Sequence, residues 1–216
     1  MQHKYPYQKV SLQAWKRAGH FQLYRDCGLP FVGMTVQMDV TALVEVCKSR
    51  KVRFFRAFMH LIMQSIAVSE NFRLRINQGE VVLFETTDPS FTVLDSRDEL
   101  FYIAVAETCE RFAEFDHSVT LAESHALENR CLSEKRLDLA YITCIPWVGY
   151  SELFQPLFIN ASDSIPRFAW GKYDKVGNNY SMPFTVFGHH GLVDGVHIAR
   201  FIEDMRERIL HFTDIL

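Results

Sequence analysis

Near the end of the 216-residue chain, His189, His190, Gly191, Leu192, Val193, Asp194 and Gly195 form an HHxxxDG stretch. A neutral imidazole removes a proton near pH 7, an acidic residue four positions later orients the segment, and a glycine closes a tight turn. These residue types point to proton chemistry and, more narrowly, to acyl transfer. A second reading takes His190, Asp194 and His197, at i, i+4 and i+7, as metal ligands on one helical face. We set it aside, because the stretch lies partly in a turn and no further His/Cys cluster completes the set. No metal is expected.

Such a turn needs an element on each side. Met182, Phe184 and Val186 alternate before the histidines as in a strand, and Ile198, Phe201, Ile202, Met205 and Ile209 form a helical stripe beyond Gly195. Upstream, Met34, Val36, Met38 and Val40 alternate with Thr35, Gln37 and Asp39, which predicts a strand with one buried face. Thr41 is expected to cap a short helix through about Ser49, and the spacing of Phe54, Phe55, Phe58, Ile62 and Ile66 predicts a long helix to Val68. Phe72, Leu74 and Ile76, the turn Asn77-Gln78-Gly79 and the return from Glu80 to Glu85 read as a hairpin. Phe91 to Leu94 is expected as a strand, Leu100 to Glu128 as largely helical, and Leu139 to Ile145 as a short apolar strand. No internal repeat or linker interrupts the chain. The expected architecture is α+β, a mixed or antiparallel sheet covered by helices, in a single domain over residues 1–216.

Composition narrows the function classes. With 48% hydrophobic and 23% charged residues the chain can bury a substantial core, and its 18 phenylalanines are read chiefly as core packing. A net charge of −3 and no run of lysine or arginine give no electrostatic reason to expect nucleic acid or an anionic membrane as partner. Small ligands and protein surfaces remain. Five widely spaced cysteines without a CxxC pair fit reduced thiols, and no signal-like or membrane-length apolar segment stands out, so a cytoplasmic location is expected.

Further residues carry a likeness over nearly the whole chain. They are Trp15-Lys16-Arg17, His20-Phe21 and Tyr24; Thr35 to Thr41; Phe54 to Phe58; Phe72-Arg73; Phe91-Thr92-Val93; Phe101; Pro146-Trp147-Val148; Gly171-Lys172-Tyr173; Met182-Pro183; and HHxxxDG itself. In this order and spacing the chain resembles the chloramphenicol acetyltransferase family, trimeric acyl-CoA-dependent O-acetyltransferases. Condensation domains of peptide synthetases and dihydrolipoyl acyltransferases use related motifs. The former are about twice this size and the latter bear lipoyl modules, so length and context favour the acetyltransferases.

The resemblance implies acetyl-CoA as co-substrate and a small-molecule hydroxyl acceptor such as chloramphenicol. It implies a homotrimer with sites between subunits and direct transfer through a tetrahedral intermediate. It places the general base on His190, with His189 a structural neighbour, and an Asp194–Arg17 pair that holds the motif loop. Tyr24 and Phe101 match acceptor-pocket aromatics, and Lys172 and Tyr173 match the CoA side. The oxyanion-stabilising serine of the family falls on Glu152, with Ser151 one residue earlier and assigned that role here. Ser151 can serve only where the strand pattern is broken, which Gly149 permits. A supporting threonine falls on Ala169, and further acceptor-pocket positions fall on Arg130, Cys131 and Leu132. Glu152 and Ala169 motivate an alternative, a catalytically weak member that binds a CoA ester or small ligand without efficient turnover.

Overall fold

The computed structural model describes residues 2–157 and 163–215, so Met1, Leu216 and positions 158–162 of the expected domain lie outside the described residues. The main sheet is built from β2 (Phe31–Asp39), β5 (Asp88–Asp95), β6 (Leu100–Val105), β7 (Leu139–Ile145), β8 (Arg167–Gly171) and β10 (Asn179–His189), in the order β2-β10-β8-β7-β5-β6. The short β9 (Asp174–Val176) folds back on β10 as a hairpin. β10 runs antiparallel to β2 and β8, β7 is parallel to β8 and β5, and β5 and β6 are antiparallel, so the sheet is mixed. A smaller sheet has the order β1-β4-β3, from β1 (Tyr7–Lys9), β3 (Leu74–Asn77) and β4 (Glu80–Phe84).

Alternation along β10 decides which face is buried. Met182, Phe184 and Val186 point into a core also filled from α2 (Thr41–Arg50), α3 (Phe54–Val68), α5 (Phe112–Asn129) and α6 (Gly195–Leu210). Phe58 on α3 meets Trp170 at 5.0 Å and Phe184 at 5.3 Å, both edge to face. The short α4 (Glu70–Arg73) is pinned by Phe72, whose ring lies 4.7 Å from Phe201 and 5.6 Å from Phe168. On the opposite face of the main sheet the small sheet packs over Tyr141 and Val105. Elsewhere on that face apolar groups stay open, with Leu94 45% and Phe101 56% exposed. Trp147, 67% exposed, lies just past the end of β7. Among the described residues no helix is long and apolar enough to cross a membrane.

Three expectations are corrected. Leu100–Val105 is strand rather than helix, and the helix begins only at Phe112. The run Leu-Phe-Tyr-Ile-Ala-Val is apolar at every position because Tyr102 and Ala104 enter the core while Phe101 and Ile103 lie on the other face, so no alternation marks it. Phe72 belongs to a helical turn, and the hairpin strand starts at Leu74; Gln78 and Gly79, with φ of 51° and 81°, close it. Thr41 is the first residue of α2 rather than its cap. Its backbone N–H donates to Asp39 Oδ1 at 2.9 Å, and its hydroxyl accepts from Tyr180 N at 2.8 Å.

Candidate active site

The motif occupies the turn between β10, which ends at His189, and α6, which begins at Gly195. Leu192 N and Val193 N both donate to the His189 carbonyl, at 2.8 and 3.0 Å, and His190 N donates to the Pro30 carbonyl at 2.7 Å. The His190 ring then turns back, with Nδ1 3.2 Å from the Val193 carbonyl oxygen. A carbonyl only accepts, so the proton sits on Nδ1 and the lone pair on Nε2. Among the described residues Nε2 makes no hydrogen bond. The ring is half-buried and stacks on Tyr24, centroids 4.0 Å apart and planes 18° apart. It is held flat, with its basic nitrogen uncommitted.

Arg17 supports this turn from α1 (Ala18–Arg25), whose N-cap it forms. Its Nη2 donates to the His190 carbonyl at 3.1 Å and to the Val193 carbonyl at 3.4 Å, and Nη1 lies 3.6 Å from Asp194 Oδ2. Asp194 in turn caps α6. Its Oδ1 accepts from Gly195 N at 2.7 Å, while its own N–H donates to His197 Nδ1 at 3.0 Å, a reciprocal capping box. The Gly195 N–H, and secondarily Arg17, hold the Asp194 carboxyl below its ordinary range. Asp194 is thus a loop anchor, and His197 spends Nδ1 on the cap. Among the described residues no group of three or more His, Cys, Asp or Glu side chains is placed to hold a metal.

His189 differs from its neighbour. It is 3% exposed, its Nδ1 accepts from Gly191 N at 3.1 Å, and its ring meets Phe31 edge to face at 5.8 Å. Burial lowers its pKa to about 4. A histidine whose folded pKa is depressed stays neutral in the native state while the unfolded chain takes up a proton near pH 6.5. Its contribution is therefore complete above about pH 6.5 and is lost as pH falls toward 4, on the order of 3 kcal/mol in all. His60, buried in the core with its pKa also lowered by burial, adds in the same direction. The melting temperature is expected to drop between pH 6.5 and 4.5, and His189→Asn to flatten the slope in part. A wild-type Tm level across that range would contradict this reading.

Phe101, Lys172 and Tyr173 lie away from the imidazole in the same chain. Trp170 faces Phe184, six residues before His190, so Lys172 and Tyr173 beyond it sit more than roughly 20 Å along the sheet from the imidazole. Lys172 is exposed and pairs with Asp174 at 3.3 Å; Tyr173 packs on Phe54 at 5.0 Å. Phe101 is on β6, four strand spacings or roughly 19 Å across the sheet from β10. Ser151 and Glu152 are both exposed, and no hydrogen bond among the described residues joins either to His190. Ser151 lies at a bend, after a turn at Pro146 and Trp147, where regular alternation of side chains no longer applies. Ala169 is buried opposite Thr185, whose hydroxyl is 2.8 Å from that of Thr35 and donates to Tyr150 Oη at 3.2 Å. Arg130 pairs with Asp98 at 3.2 Å, the Cys131 carbonyl accepts from Ile103 N at 2.7 Å, and Leu132 is exposed. One chain thus unites His190, Tyr24, Arg17 and Asp194, leaves Phe101, Lys172 and Tyr173 away from them, and joins Ser151 to the imidazole by no hydrogen bond among the described residues.

A cavity of about 1030 Å³ between β6 and α5, lined by Ile103, Val105, His117, Leu121 and Cys131, does not include the motif turn. The uncommitted imidazole, rather than cavity size, marks the site. Two contributors carry no sequence signal. The Val193 carbonyl that sets the tautomer belongs to every residue type, and Asn71, whose Nδ2 donates to the Leu192 carbonyl at 2.8 Å, is 121 positions away.

Comparison with known proteins adds to this geometry. The family model described as chloramphenicol acetyltransferase matches residues 5–206. A chloramphenicol acetyltransferase of Klebsiella sp is 27% identical over 205 residues, covering 93% of each chain. A solved chloramphenicol acetyltransferase structure superposes with a TM-score of 0.84 at 18% identity, covering 94% of this chain and all of that one. The cubic core of the pyruvate dehydrogenase multienzyme complex superposes with a TM-score of 0.66 at 13% identity, covering 92% of this chain and 88% of its own. At these identities the two structures speak for the fold alone.

Proposed function

The chain belongs to the chloramphenicol acetyltransferase family, and on that premise we propose that it transfers an acetyl group from acetyl-CoA to a hydroxyl of chloramphenicol or a similar small molecule. The observation that carries the reading is the His190 ring, protonated at Nδ1 against the Val193 carbonyl and stacked on Tyr24 with Nε2 uncommitted. Nε2 takes the acceptor's hydroxyl proton as its oxygen attacks the thioester carbonyl. The tetrahedral intermediate collapses, the C–S bond breaks, and the imidazolium returns the proton to the departing thiolate. Asp194 and Arg17 keep the turn rigid, Ser151 donates to the oxyanion, Tyr24 and Phe101 contact the acceptor, and Lys172 and Tyr173 hold CoA. No metal takes part.

The separation of His190 from Phe101, Lys172 and Tyr173 within one chain supports a site between subunits of a homotrimer, in this reading one of cytoplasmic single-domain chains. The exposed apolar side chains of Leu94, Phe101 and Trp147 support the same assembly. The test is thiol release from acetyl-CoA with chloramphenicol and a panel of other small hydroxyl compounds, alongside sedimentation velocity. Acceptor-dependent release by a particle of three chains is expected. A second reading, a weak member that binds a CoA ester without efficient turnover, is favoured by Glu152 and Ala169 at hydroxyl positions of the resemblance. It predicts thermal stabilisation by CoA with no transfer to any acceptor, which would also remove the first reading.

A further inference from the structure

We infer that Asn71 is a positioning residue for the base, through a two-point grip on Leu192 in the middle of the motif turn. The inference rests on the assignment of His190 as base. Leu192 is 2% exposed, and its side chain enters a cluster with Phe21, Leu74, Ile76 and Val81, between α1 and the small sheet. Its carbonyl accepts from Asn71 Nδ2 at 2.8 Å. Asn71 is itself fixed, because α4 is one turn long and the next residue, Phe72, is locked against Phe168 and Phe201.

The position of the grip gives it leverage. Leu192 directly precedes Val193, whose carbonyl dictates the His190 tautomer, and it follows the His190 carbonyl held by Arg17. Arg17 therefore holds the carbonyls that flank Leu192, and Asn71 holds that of Leu192 itself. Without the amide donor, the Leu192 peptide loses its tie to α4, and only the long 3.4 Å bond from Arg17 is left to keep the Val193 carbonyl facing Nδ1. The imidazole then gains access to the other tautomer, with the proton on the nitrogen that must accept one. Substrate binding is expected to be untouched, because Asn71 bonds the Leu192 peptide rather than the imidazole ring.

The experiment compares wild type with Asn71→Ala, Asn71→Asp and Asn71→Gln, in the full chain. The aspartate keeps the shape and loses the donor; the glutamine keeps the donor on a longer stem. With acetyl-CoA and chloramphenicol, kcat is expected to fall about five- to tenfold in the alanine and aspartate variants, the worth of one hydrogen bond. KM for acetyl-CoA is expected to stay within about twofold, and glutamine to recover part of kcat. Nitrogen-15 NMR of the histidines gives a reading independent of turnover: His190 shows the Nδ1–H form in wild type and a mixture in Asn71→Asp. Unchanged His190 signals in a folded Asn71→Asp protein would overturn the inference, whether or not wild type is active. Absence of transfer by wild type, with the signals altered as described, would instead count against the proposed function and leave Asn71 in its role.

Discussion

His190→Ala is expected to lower kcat by about 10³-fold, within the range of about 10² to 10⁴ that a positioned base contributes. A hydroxyl is almost wholly protonated near neutral pH and attacks a thioester poorly, so the step depends on a nitrogen that can take its proton. Nε2 of His190 is that atom, because Nδ1 is committed to the Val193 carbonyl. The substitution should leave the fold intact. The ring is half-buried at a turn, and when its own bond to the Val193 carbonyl is lost, Arg17 still holds the His190 and Val193 carbonyls and Asn71 the Leu192 carbonyl. Thiol release and a thermal melt on the same preparation check this: equal rates for variant and wild type would remove His190 from its role, whereas a lost melt would make the rate uninterpretable and shift the test to His190→Gln.

Ser151→Ala carries the second large effect, an expected fall of about 10² to 10³-fold in kcat with little change in KM, the cost of removing one oxyanion donor. The competing geometry puts Glu152 there, where an ionised carboxylate about 4 Å from the developing charge would oppose it by up to about 4 kcal/mol at an effective dielectric of about 20. The bend at Ser151 frees the serine from the strand alternation that would otherwise turn it away. Glu152→Ser separates the cases. Should Ser151→Ala retain the wild-type rate while Glu152→Ser gains rate, the carboxylate is the group facing the reacting carbonyl.

Much of this was legible in the residues. The HHxxxDG spacing pointed to a histidine base, family likeness put that role on His190, and period-two alternation placed Met182, Phe184 and Val186 on the strand that leads to it. The Arg17–Asp194 pair came from family likeness and is present at 3.6 Å. Leu100–Val105 was misread because a strand apolar on both faces has no period to detect. Asn71 and the Val193 carbonyl were invisible for a different reason: one is a long-range contact made by an ordinary amide, the other a backbone atom. Whether Ser151 or Glu152 faces the chemistry was undecidable from spacing, since the answer depends on a bend.

The exposed apolar side chains of Leu94, Phe101 and Trp147 bear on how this protein would be handled in dilute solution. Under the assembly proposed above, a solitary copy sets oily side chains against water, and only neighbours relieve them. Folding and association then share one equilibrium, so dilution acts as a denaturant in its own right and the chain's robustness becomes a property of how much of it is present.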